Sequence, residues 1–166
     1  MARGLGETTI TISVLDRLID LEPDNKAESL LSRTQSLRLL KAAVRRDLEW
    51  LLNSRRIADP PDEGLKEVNK SAYVYGLQDL STLTMAVAAD RNRLMRQILA
   101  TINLFEPRLS NVRLVIVETA DPGKKDVRLR IEAMLRTDPV PEPISFDSVI
   151  ELKSGNCHLS GGEDAR

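Results

Sequence analysis

The chain has 166 residues and 42% hydrophobic content, enough for one domain that buries roughly 70% of its unfolded surface without disulfides or metal as staples. Its 24 basic and 25 acidic residues leave a net charge of -1, so no electrostatic drive favours nucleic acid or an anionic membrane, and an aromatic content of 3% argues against a base-stacking platform or an aromatic-lined pocket. The single Cys157 cannot close an internal disulfide, no apolar run reaches the ~20 residues of a membrane span, and Met1 to Thr11 lack a leader-like apolar core; the cytoplasm is the expected compartment.

Residues 1–12 read as an N-terminal extension, 13–153 as a single domain and 154–166 as a flexible C-terminal tail. Ser13 caps a short helix with Asp16 in its first turn, and Val14, Leu15, Leu18 and Ile19 form one apolar face that ends before Pro23. Leu21 to Ser32 is polar and loop-like. Thr34 or Ser36 then caps a longer helix in which Leu37, Leu40, Val44, Leu48 and Leu51 step by three, four, four and three. Arg45, Arg46, Asp47 and Glu49 fall largely off that stripe and read as a solvated face, with Asn53 as terminator. The breakers Asp59 to Gly64 open a long connection to about Ser81. Within it both tyrosines, Tyr73 and Tyr75, lie beside Gly76 in a loop expected to pack down and turn sharply.

From Thr84 a third helix carries Leu94, Ile98, Ile102 and Phe105 at spacings of four, four and three. Pro107 lacks an amide hydrogen and disfavours helical dihedrals before it, so the helix ends at about Phe105 or Glu106. Val112 to Val117 reads as a mostly buried strand. Glu106 and Arg108, two apart in extended chain, project together from the corner between helix and strand, either as an internal clamp or as a contact for partners. Asp121-Pro122-Gly123 is a tight turn. Val127, Leu129, Ile131, Ala133 and Leu135 then alternate as a second strand, and after the proline-rich 137–143 segment Ile144, Phe146, Ser148, Ile150 and Leu152 alternate as a third. The expected architecture is α+β, a two-layer sandwich with helices packed on a small, mainly antiparallel three-stranded sheet.

No catalytic residue, cofactor site or metal site is assigned. His158 beside Cys157 lacks further ligands at metal spacing, and neither a phosphate loop nor an elbow serine is present. Glu106 is the one suggestively placed carboxylate. Glycoside hydrolysis needs a second carboxylate ~5 to ~9.5 Å away across a cleft, and none is visible, while the Arg108 cation two residues on would pair with Glu106, which is wrong for a general acid.

Four segments carry a resemblance: Ser13-Val14-Leu15-Asp16-Arg17-Leu18, Val44 to Asn53, Tyr75-Gly76-Leu77-Gln78-Asp79-Leu80, and Phe105-Glu106-Pro107-Arg108-Leu109. Their order resembles TssE, the baseplate wedge subunit of bacterial type VI secretion systems, itself similar to a wedge protein of contractile phage tails; Gln78 departs from the proline common there. The resemblance implies a structural, non-enzymatic, cofactor-free subunit in the cytoplasm at the inner face of the membrane, with 13–153 as a wedge and sheath-docking domain. Implied partners are TssF- and TssG-type wedge proteins, TssB/TssC-type sheath subunits and other baseplate components, without nucleic acid or membrane insertion. It assigns Glu106, Pro107 and Arg108 as the protein-binding segment. The alternative is a peptidoglycan-cleaving, lysozyme-like hydrolase.

Overall fold

The computed structural model describes residues 10, 13–19, 32–84, 87–117, 126–152 and 154–162. The expected 21–32 loop up to residue 31, the 121–123 turn, the last residues of the tail and most of the N-terminal extension lie outside these described residues.

Among the described residues three α-helices, α1 (Val14–Leu18), α2 (Arg33–Asn53) and α3 (Ala88–Phe105), precede four strands, β1 (Leu109–Val117), β2 (Asp126–Leu135), β3 (Glu142–Glu151) and β4 (Cys157–Gly161). The strands form an antiparallel meander in the order β1-β2-β3-β4. The three-stranded expectation is therefore corrected to four. Cys157 to Gly161 pairs with Phe146 to Ile150 in a segment read as tail, because Cys157 and Leu159 alternate with His158 and Ser160 to bury one face. So short a run, flanked by glycine, is a weak strand signal.

Both long helices form where apolar spacing requires. Ser32, two residues ahead of the earliest expected cap, starts α2 with a full capping box: its hydroxyl accepts from the Gln35 amide and its own amide donates to Gln35 Oε1. Leu40, Val44, Leu48 and Leu51 of α2 and Leu94, Ile98 and Ile102 of α3 are buried against the inner face of the sheet, where Leu129, Ile131, Leu135, Ile144, Phe146 and Ile150 complete one continuous core.

At the margins of this core one apolar face stays uncovered and one expectation fails. Ser13 caps α1 as expected, but none of its residues is buried; the apolar face of this five-residue helix points to solvent. Val115, Ile116 and Val117 are 46%, 39% and 38% exposed although composition made β1 mostly buried. β1 is an edge strand, and composition does not report strand order. A bulge between Ser110 and Arg113, with Asn111 at φ 52°, separates its start from this exposed end.

The long connection between α2 and α3 contains two single-turn 3-10 helices, Val68–Lys70 and Ala72–Val74. It is tied to the end of α2 at Gly76-Leu77: Leu77 N donates to the Ser54 carbonyl at 2.9 Å, and Arg56 N donates to the Leu77 carbonyl at 2.9 Å. Gly76 has φ 97°, so the sharp turn expected there is real. Gln78, two residues on, accepts through its side-chain oxygen from Gln97 Nε2 of α3 at 2.6 Å.

Candidate functional site: an ionic corner between helix and sheet

The α3 ladder ends with Glu106 N donating to the Ile102 carbonyl at 2.8 Å, and Pro107 carries the chain into β1. Glu106 and Arg108 project together, as the spacing predicts, and they pair with each other. Arg108 Nε donates to Glu106 Oε1 at 2.6 Å, its Nη2 donates to Glu106 Oε2, and its backbone amide approaches Oε1 at 3.3 Å. Glu106 is only 3% exposed, so this forked contact neutralises a buried charge.

The same guanidinium reaches α2, where Nη2 donates to Asp47 Oδ2 at 2.7 Å. Asp47 accepts on its other oxygen from Arg46 Nε and Nη2 at 3.0 and 2.9 Å, and Arg46 Nη1 donates to Asp16 Oδ1 of α1 at 2.6 Å. Charges thus alternate from Glu106 through Arg108, Asp47 and Arg46 to Asp16, linking all three helices to the start of the sheet. Arg46 also lies 5.0 Å from the centre of the Trp50 ring, a cation–π contact on an otherwise exposed tryptophan. Beneath the row Tyr75 meets Phe105 edge to face at 5.1 Å.

The electrostatics follow from the geometry. Hydrogen bonding to Glu106 raises the Arg108 pKa; burial opposes this, and Asp47 adds to the rise, so the cation is fixed. Burial raises the Tyr75 phenol, and the nearby Asp47 and Glu106 charges raise it further. For Asp16 burial works upward but is outweighed by hydrogen bonds from Arg46 and Ser13 and by the fields of Arg46 and Arg108, leaving its carboxyl below the usual 3.8.

Asp16 therefore makes the attachment of α1 pH-dependent. Its folded value lies below its unfolded one, so its contribution is complete above 3.8 and is lost as pH falls through the folded value. Asp16→Asn is expected to be about 1 kcal/mol less stable than the parent chain at pH 7 in urea unfolding, with the gap closing through the carboxylate range. A gap absent at pH 7, or unchanged down to pH 2, removes Asp16 from the row.

Sequence reasoning placed Glu106, Pro107 and Arg108 but missed Asp47, Arg46 and Asp16. Arg46 and Asp47 are half-buried in the row instead of forming a solvated face. The missed signal is positional: Leu40, Val44, Asp47 and Leu51 step by four, three and four, so Asp47 borders the core stripe. Asp16 lies 30 residues from Arg46, and no local pattern joins them.

The Cys157-His158 pair lacks nucleophile character. Burial, with the field of Glu49, pushes the Cys157 thiol up to about 12, and the His158 ring is exposed, with Glu49 Oε1 3.6 Å from its Nδ1. Among the described residues no group of three or more metal-ligating side chains converges, and no helix is long and apolar enough to cross a membrane.

Compared with known families, residues 38–140, more than half of the chain, match the model described as baseplate wedge protein gp25. The chain belongs to that family. The matched span of this gp25-family chain includes α2 from residue 38 onward, the Gly76 turn, α3, the corner, β1 and β2, and so holds every member of the ionic row except Asp16. No curated protein and no solved structure is matched. Wedge-family membership makes the protein a structural component of a phage-tail-like baseplate that interacts with other baseplate components.

Proposed function

We propose that this chain is the TssE-type wedge subunit of a type VI secretion system, joining TssF- and TssG-type wedge proteins through the Glu106-Pro107-Arg108 corner and anchoring the first TssB/TssC-type sheath subunits through its sheet. It would act in the cytoplasm, in the baseplate at the inner face of the membrane. The observation that carries this reading is the family match spanning the corner, combined with the order of the four TssE-like segments. The geometry supports it. Glu106 fixes the Arg108 guanidinium against a rigid turn, and Arg108 with Asp47 stays partly open to solvent, a preorganised charged surface for a partner.

The hydrolase alternative has no support from the corner. A catalytic acid must carry a proton on an oxygen that faces substrate, whereas both Glu106 oxygens accept from Arg108 and the residue is buried. The test is co-purification of the full chain with TssF- and TssG-type proteins, alongside incubation with peptidoglycan. A stable complex and no turnover are expected. Turnover lost in Glu106→Gln but kept in a distal carboxylate variant would overturn the structural reading.

A further inference from the structure

We infer that a partner strand is added at β1 alone, along Arg113 to Val117, and that Asn53 closes the opposite edge of the sheet at β4. This rests on the sheath-anchoring reading and deepens it by naming the edge, the residue that enforces the choice and the chemistry of the occupant.

A four-stranded meander has two edges, and in an antiparallel ladder alternate residues point both backbone groups outward. On the β4 side Glu151 N donates to the Asn156 carbonyl at 2.8 Å and Gly162 N donates to the Ser145 carbonyl at 3.0 Å, so Cys157 and Leu159 are the outward residues of the strand before Gly161. Both outward groups of Cys157 are occupied. Its N–H donates to Asn53 Oδ1 at 2.8 Å, and its carbonyl accepts from Asn53 Nδ2 at 2.8 Å. A primary amide offers donor and acceptor side by side, as the peptide of a fifth strand would. Asn53 Nδ2 also donates to the Glu49 carbonyl at 2.8 Å, which holds the amide on α2. Gly161, at φ 92°, leaves the extended region, so Leu159 alone offers a strand-like outward pair.

The β1 edge is different. Arg136 N donates to the Arg108 carbonyl at 2.8 Å, and with the register Arg113↔Glu132, Val115↔Arg130 and Val117↔Arg128 this turns Leu114 and Ile116 outward. Among the described residues none outside the sheet bonds their backbone groups. The bulge at Asn111 twists only the start of the edge, and beyond it stand exposed aliphatic side chains where sheet edges usually carry lysine or proline. These features fit an extended aliphatic strand from another protein, held by main-chain bonds at Leu114 and Ile116. A second copy fits poorly: it would bring its own Arg113 and Arg128 against the same outer face.

Amide hydrogen exchange on the full chain tests the edge first. Leu114 and Ile116 should exchange freely and Cys157 slowly, and Asn53→Ala should speed Cys157 exchange at least about tenfold. With purified sheath subunits, Leu114 and Ile116 should become protected while Leu159 stays unchanged. Ile116→Pro and, as a variant that keeps every amide, Val115→Lys should each weaken binding at least about tenfold. Protection at Leu159, or undiminished binding by both β1 variants, overturns the edge assignment, as does unchanged Cys157 exchange in Asn53→Ala. Wild-type chain that binds no sheath subunit defeats the sheath reading and the occupant with it, leaving the Cys157 result to judge the closed edge separately. Self-association that protects Leu114 and Ile116 would replace the partner strand by a second copy.

Discussion

Arg108→Ala is expected to lower stability by about 3 to 5 kcal/mol, because it strands the buried Glu106 carboxylate without its counter-charge. Asp47 loses a partner in the same step but stays partly solvated and keeps Arg46, so Glu106 accounts for most of the loss. A pair that served only as an exposed contact would cost about 0 to 1 kcal/mol and leave the melt unchanged. The 3% exposure of Glu106 decides between these outcomes. Glu106→Ala removes the buried charge itself, so the double variant Glu106→Ala/Arg108→Ala is expected to be more stable than Arg108→Ala alone. Urea unfolding of the three variants measures this coupling. If Arg108→Ala melts like the parent chain, the corner is no clamp, and loss of partner binding in that variant would then report a direct contact.

Gly76→Ala is the second large effect. At φ 97° a side chain is strained in any surroundings, and here the added Cβ would lie far inside contact distance of the Ser54 carbonyl group. That carbonyl accepts from Leu77 N, so it cannot retreat without breaking the tie between the Tyr75 turn and the end of α2. Strain and overpacking together are expected to cost about 3 kcal/mol, seen as a lower urea midpoint with the slope preserved. Gly64→Ala is the matched control. Its Cβ meets only Asp62 Oδ1, at an ordinary 3.5 Å, and the midpoint should barely move. Equal midpoints for the two variants would show that the turn is not held against α2.

What could be read in advance was whatever local chemistry fixes. Pro107 ends α3 because a proline does so in any fold, the spacing of Leu94, Ile98 and Ile102 defines one face of α3, and a glycine between bulky neighbours marks the Gly76 turn. The joining of Glu106 to Arg108 was legible for the same reason. What escaped depends on neighbours distant in sequence. The exposure of Val115 to Val117 follows from β1 lying at an edge, β4 becomes a strand only beside β3, and Asp47 becomes part of the site only because α2 passes over the corner. Each of these residues is ordinary in its local setting, so neither composition nor period distinguishes it.

The bond pair between Asn53 and Cys157 spans 104 residues, whereas each hairpin of the meander joins neighbours in sequence. On the ribosome the hairpins have partners almost as soon as they emerge. The part of α2 that rests on β4 waits for its own, and at about 5 to 20 residues per second that interval is on the order of 5 to 20 s. During it the C-terminal end of α2 lacks its last covering strand, so its final seating follows completion of the sheet, and the nascent chain is open to chaperone capture or premature association over that time.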